Sequence, residues 1–351
     1  MAHALPSHID HSSAWKGSDF INGVSDIAFD LDERHRDALR AVVRRATRAG
    51  VDVQGLTAEH TAMPEIAADL DAIRNEIMEG RGLVIIRGWP VEEMTPEELG
   101  IAYWAMGTYF GRGVNQSPMG DRLGYVIDTS TPGVRDRAYR TAEELTLHTD
   151  AEDIVGLLCV RKARFGGLST LSSAIAVFNE IASSRPDLLP VYAEGFAYHW
   201  FGEQPPGEPP VTTYPVPIFC WEQGRLSCCW LRELIEMAAE ETGTPLTELQ
   251  KEALDVFQQT AHRPDIAFTF QLKPGEASFI NNYTVLHSRT AFEGWPEADR
   301  RRLLLRLWIK ANPGRPVDAN LHRFYGGDEG DGSYVDGSTS TVYNPDRTAA
   351  A

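Results

Sequence analysis

Apolar residues are spaced differently in the front third of the chain and in the remainder. Over Leu31–Ala49, and again over Met63–Glu79, they recur at helical intervals, which predicts two amphipathic helices. Gly82-Leu-Val-Ile-Ile-Arg87 is a short apolar run bounded by glycines and reads as a buried strand. Thr95-Pro96-Glu97-Glu98 is a helix start: Thr95 can cap, Pro96 suits the first turn, and Glu98 can complete a capping box. That helix should run to about Tyr109.

Beyond residue 120 the pattern turns strand-like. Runs at Gly124–Asp128, Ile154–Arg161, Pro217–Trp221, Ile266–Leu272, Ala277–Ile280 and Leu303–Lys310 predict short strands. Helical spacing intervenes near Ser173–Ser183, Leu231–Glu241 and Thr247–Ala261, and Trp200, Trp221 and Trp230 read as core aromatics. Strands concentrated late and preceded by helices suggest a mainly β fold, a jelly roll with flanking helices; a βαβ sheet fits worse because strands and helices do not alternate. Neither a repeat nor a linker divides the chain. It is read as an N-terminal arm (1–28), a single domain (29–325), and a flexible Gly/Asp/Ser-rich tail (326–351). Residues 110–147, rich in Gly, Asp, Pro and Thr, read as lid loops. Asp328-Glu-Gly-Asp-Gly lacks the alternating ligands of a calcium loop.

Composition narrows the function. The 351 residues carry a net charge of -17, a field that repels phosphate backbones and anionic membranes. A small-molecule partner therefore fits better than a nucleic acid or a membrane, and homo-oligomer formation stays open. No apolar run approaches the roughly 20 residues of a membrane span. The segment Met1–Trp15 has no basic patch followed by an apolar stretch, so no signal peptide is expected. Cys159, Cys220, Cys228 and Cys229 form no CxxC pair and read as reduced thiols of a cytoplasmic protein.

Three segments carry chemistry. In His148-Thr-Asp150, side-chain alternation puts an imidazole and a carboxylate on one face of an extended segment. That is two-thirds of the two-histidine, one-carboxylate triad that holds Fe(II) with open positions. The triplet alone is common on surfaces. His287 follows an apolar run in a polar context and would complete the set. Arg302-Leu-Leu-Leu-Arg306-Leu-Trp308-Ile-Lys310 alternates cleanly, with arginines on one face and leucines on the other. Such a strand is either a half-exposed edge or the wall of a cavity where a guanidinium grips a carboxylate. Among the lid loops, Asn115, Gln116, Tyr139 and Arg140 are candidate substrate contacts.

With "ELTLHTDAEDIVGLLCVRKARFGGLSTLSSAIAVFNEI" and "LKPGEASFINNYTVLHSRTAFEGWPEADRRRLLLRLWIK", the chain resembles the taurine dioxygenase/TfdA-like (TauD/TfdA) family of Fe(II)- and 2-oxoglutarate-dependent dioxygenases over most of residues 65–312. The resemblance implies a double-stranded β-helix, the distorted, cupin-like jelly roll. It implies His148, Asp150 and His287 as iron ligands and as the catalytic centre. Arg302 and Thr170 would hold the distal carboxylate of 2-oxoglutarate, and Arg306 would face the same cavity, near the other carboxylate of 2-oxoglutarate or a substrate acid. The implied activity is hydroxylation, desaturation or cyclisation of a small organic acid, amino acid or natural-product intermediate of secondary metabolism. It would consume O2 and release succinate and CO2. Asp150 stands where halogenating relatives lack a carboxylate, so halogenation is not expected. Two further readings compete: a zinc-type hydrolase on the same triad, which needs no inward arginines, and a non-catalytic barrel that binds a ligand without the triad.

Overall fold

The structure is a computed structural model that describes residues 5–116, 120–127, 142–327 and 331–332. Two sheets face each other without closing into a barrel. The larger has seven strands, in the order Ala28–Asp30, Leu83–Arg87, Glu276–Asn281, Ile154–Arg161, Leu303–Lys310 and Arg112–Gly113, with Gly124–Val126 also pairing with Leu303–Lys310. The smaller has four: Ala267–Phe270, Ser169–Ser173, Val285–Arg289 and Leu145–His148. All these pairings are antiparallel except the one between the first two strands of the larger sheet. This is the jelly-roll layout expected from the sequence, with helices outside.

Alternation along the strands decides which layer each side chain joins. Leu303, Leu305, Leu307 and Ile309 pack outward against the helices Glu33–Ala49, Ala67–Met78 and Pro96–Gly107. Leu304 and Trp308 point inward, joining Leu171, Phe268, Phe270 and Val285 of the smaller sheet in the inter-sheet core. The outer face of the smaller sheet, with Leu147 and Leu286, lies under the helices Ala174–Ser184, Arg232–Glu241 and Glu248–Ala261. Trp230 belongs to this layer and stacks on Phe257 at 3.8 Å, while Trp200 and Trp221 pack at its margin.

Helix ends follow the local signals. Asp32 caps the first long helix, and Gly50 ends it in the left-handed region at φ 65°. Thr95 and Glu98 form the capping box read from the sequence, on a helix that stops at Gly107 rather than Tyr109. The segment Met63–Glu79 begins with a 3-10 turn at Pro64–Ile66, so its α-helix covers only Ala67–Met78. The N-terminal arm is packed down: Trp15, Phe20 and Ile27 are buried in the inter-sheet core, and the Trp15 indole donates to the Arg81 carbonyl at 2.9 Å. All four cysteines are buried free thiols. Among the described residues, no helix is long and apolar enough to cross a membrane.

Candidate metal centre

The smaller sheet brings the triad together. His148 and His287 are direct cross-strand partners, with ring centroids 4.3 Å apart. Past His148 the chain leaves the sheet, and Thr149 is pinned to Trp230 by hydrogen bonds in both directions. Asp150 then turns back beneath the two rings. Its Oδ1 lies 3.6 Å from His148 Nε2 and its Oδ2 3.7 Å from His287 Nε2. These separations run to two different oxygens; one ligand atom from each residue lies within 4.8 Å of the others, a spread that a small octahedral ion, whose neighbouring ligands stand roughly 3 Å apart, would draw inward. Among the described residues this is the one His/Cys/Asp/Glu cluster with such geometry.

His148 and Asp150 are oriented by second contacts, whereas His287 Nδ1 is buried with no hydrogen-bond partner among the described residues. His148 Nδ1 donates to the Thr146 carbonyl at 2.8 Å, which leaves Nε2 facing the other two groups. The Asp150 amide donates to Asn282 Oδ1 at 2.8 Å, and Asn282 Nδ2 donates back to the Asp150 carbonyl. The Trp308 indole donates to Asp150 Oδ2 at 2.8 Å. Burial pushes the Asp150 carboxyl up, but His148, His287 and Arg306 outweigh it and hold the pKa well below the usual carboxylate range. Burial also disfavours charge on both imidazoles. The carboxylate nonetheless raises the pKa of His148, whereas His287, facing the charge of His148, is pushed down to about 3. A cation needs the carboxylate ionised and both imidazoles neutral; the Asp150 and His287 shifts favour that state, and a proton held on His148 by Asp150 would be displaced by the ion.

Two residues along the strand from His287, Arg289 and the neighbouring Arg302 make a buried positive site. Arg302 is 6% exposed, and its Nη1 has no hydrogen-bond partner among the described residues. Burial and the nearby charge of Arg289 push its pKa down to about 10. Both guanidiniums lie over the Phe292 ring, at 5.1 Å and 4.9 Å. Gly167, in the left-handed region at φ 67°, borders Arg302: a Cβ there would stand 3.5 Å from Nε. An unpartnered guanidinium donor in a buried, doubly positive corner is costly unless an anion completes it. A carboxylate of 2-oxoglutarate is such an anion.

Thr170 does not face this corner. Its cross-strand partners are Ser288 and Thr269, and its hydroxyl lies 2.8 Å from that of Thr269. In the same register, His287 is level with Leu171 and Arg289 with Ser169. Strand alternation therefore turns Thr170 outward and puts the Ser169 hydroxyl on the inner face, correcting the sequence expectation by one residue. Gln116 is buried and paired with Arg306: its Oε1 accepts from Arg306 Nε, and its Nε2 donates to the Arg306 carbonyl, both at 2.8 Å. Asn115 is engaged instead by Asp331, which also pairs with Arg112 and Arg122. Tyr139 and Arg140 lie outside the described residues. Sequence reasoning passed over Arg289 and Asn282 and gave Ser169 and Trp308 no role. The period-two argument used for His148 and Asp150, applied to His287-Ser-Arg289, carries Arg289 to the inner face.

Comparison with known proteins agrees with this geometry. The taurine catabolism dioxygenase TauD, TfdA family matches residues 49–308. The chain is 32% identical to the FR-33289 synthase of Streptomyces rubellomurinus, over 92% of this chain and 97% of that one. Its fold matches an asparagine oxygenase in complex with Fe(II), 2S,3S-3-hydroxyasparagine and succinate, with a TM-score of 0.62, 22% identity, and 81% and 93% of the two chains covered. It also matches the non-haem iron oxygenase OrfP in complex with Fe, succinate and (3S)-hydroxy-L-Arg, with a TM-score of 0.60, 12% identity, and 81% and 94% covered.

Proposed function

Because the chain belongs to the TauD/TfdA family, and so is a 2-oxoglutarate-dependent non-haem iron dioxygenase, we propose a role for each residue of this cavity. His148, Asp150 and His287 hold Fe(II) through one imidazole nitrogen each and a carboxylate oxygen. Arg302, with the charge of Arg289 beside it and the Ser169 hydroxyl on the same face, grips the distal carboxylate of 2-oxoglutarate. Arg306, steadied by Gln116, presents positive charge to the substrate side. When bound, iron and 2-oxoglutarate would activate O2, releasing succinate and CO2 and oxidising a substrate C–H bond. Leu171, Phe268, Phe270 and Leu304 line the inter-sheet core around these groups and keep bulk water from the reacting centre.

The substrate we propose is a small organic acid, an amino acid or a natural-product intermediate, hydroxylated by default and otherwise desaturated or cyclised. Arg306 supports the acid group. The similarity to FR-33289 synthase and the fold shared with amino-acid oxygenases support the rest, including a place in secondary metabolism. The four reduced thiols support a cytoplasmic setting. Family membership displaces the zinc-hydrolase and binding-protein alternatives.

The convergence of the triad together with the unpartnered Arg302 Nη1 carries this reading. A panel of small carboxylates, amino acids and their natural-product conjugates, scored for substrate-stimulated succinate under Fe(II) and 2-oxoglutarate, tests it. An acid should stimulate most. Stimulation by neutral compounds alone would remove Arg306 from the substrate site.

A further inference from the structure

We propose that Trp308 is a positioning residue for the metal-binding carboxylate. Its indole N–H fixes the rotation of Asp150, so that the ion meets one carboxylate oxygen and not both. This rests on the triad assignment made above and goes beyond it.

Trp308 lies on the inward face of the Leu303–Lys310 strand and is 6% exposed. Its N–H points at Asp150 Oδ2, 2.8 Å away. Among the described residues no lysine or arginine forms an ion pair with Asp150; its ion-pair contacts are the two histidines. The indole is thus its donor from outside the triad. The ring is itself held, because the Arg306 guanidinium lies over it at 4.5 Å and Arg306 is fixed by Gln116. Asn282 meanwhile clamps the Asp150 main chain on both its N–H and its carbonyl. With its backbone and one oxygen held, the carboxylate would have to break the indole hydrogen bond to turn and chelate. A chelating Asp150 would occupy a fourth of the six positions of an octahedral ion, and three must stay open for the two oxygens of 2-oxoglutarate and for O2.

Trp308→Phe keeps a ring beneath Arg306 and removes the N–H. In anaerobic titration its Fe(II) Kd should rise about 10-fold, within the range typical for losing an outer-shell partner. The visible bands of the Co(II)-substituted protein should shift with the changed coordination, while circular dichroism stays that of the wild type. A purely structural role would lower Tm and leave the Co(II) spectrum of the folded protein unaltered. The wild-type protein offers a second measurement that does not depend on the variant folding. Of its eight tryptophans, one indole N–H resonance should move strongly when Zn(II) is added. A Kd within about twofold of wild type with superposable Co(II) spectra, or no indole resonance displaced by Zn(II), would overturn the proposal. His287→Ala run in parallel separates the two levels. If it loses metal while Trp308→Phe does not, Trp308 alone is wrongly assigned; if it binds as tightly as wild type, the triad falls and Trp308 with it.

Discussion

The seven-stranded and four-stranded sheets share one core but are made of different residues. Strands of the larger sheet are dense in aliphatics: Leu83-Val-Ile-Ile, Ile154-Val-Gly-Leu-Leu, Leu303-Leu-Leu. Those of the smaller sheet are Leu145-Thr-Leu-His148, Ser169-Thr-Leu-Ser-Ser173 and Val285-Leu-His-Ser-Arg289. Each sheet lies between helices and the other sheet, and the larger fills both its faces mainly with aliphatic side chains. The smaller turns hydroxyls, imidazoles and a guanidinium into the same interior, where each must find a partner or wait for a ligand. The difference teaches where stability and chemistry sit: the larger sheet is the wall, the smaller sheet holds the reagents. Arg302, Arg306 and Trp308 are the points where the wall reaches across.

The sharpest way to break this division is His287→Ala. It removes a ligand from the smaller sheet and should abolish turnover and weaken Fe(II) binding, with the fold intact by circular dichroism; retained activity would take His287 out of the centre. Next is Arg302→Ala. Losing one partner of a buried charge pair costs on the order of 3–5 kcal/mol, so the KM for 2-oxoglutarate should rise by roughly two to three powers of ten. Arg302→Lys should recover part of that, because a point charge lacks the guanidinium fork. An unchanged KM in the alanine variant would show that the anion binds elsewhere.

Leu305→Ala tests the wall. This side chain is fully buried against the helices, and its loss should cost about 2–5 kcal/mol of stability, read as a fall in Tm. The folded fraction should keep its Fe(II) Kd; a large change in that Kd would mean the two roles are not separable. The smallest effect separates neighbours. Ser169→Ala should raise the KM for 2-oxoglutarate about 10-fold, the scale of one hydrogen bond to a charged group, and Thr170→Ala should leave it unchanged. The reverse result would restore Thr170 to the cavity.

Much of the wall was legible because aliphatic runs announce themselves. Ile154–Arg161 and Leu303–Lys310 run between the residues expected, and the inward arginine face of the second is as expected. The smaller sheet was harder. Ser169–Ser173 and Val285–Arg289 are too polar to look like core strands: Ser169, His287 and Arg289 face the proposed site, while Thr170 and Ser172 face outward to Thr269 and the Ala261 carbonyl. Single candidate residues could still be named, since His148, Asp150 and His287, which the fold does bring together, resemble a family pattern that does not depend on recognising the strands. Thr170 shows the limit. Two adjacent hydroxyls are indistinguishable in sequence, and only the register with Arg289 and His287 tells which one faces in. Trp308 alternates onto the face of Arg302 and Arg306, but its role is not legible in the sequence, because a hydrogen bond to Asp150, 158 positions away, has no local signature.

Asp331 clamps Arg112 and Asn115 across 219 and 216 positions of sequence. Every strand of the two sheets ends by residue 310, so neither sheet draws on residue 331. The loop that seats Gln116 against Arg306 takes its outer clasp from that residue. A chain ending just short of that residue would yield a folded protein with its triad in place and the Gln116 loop unfastened.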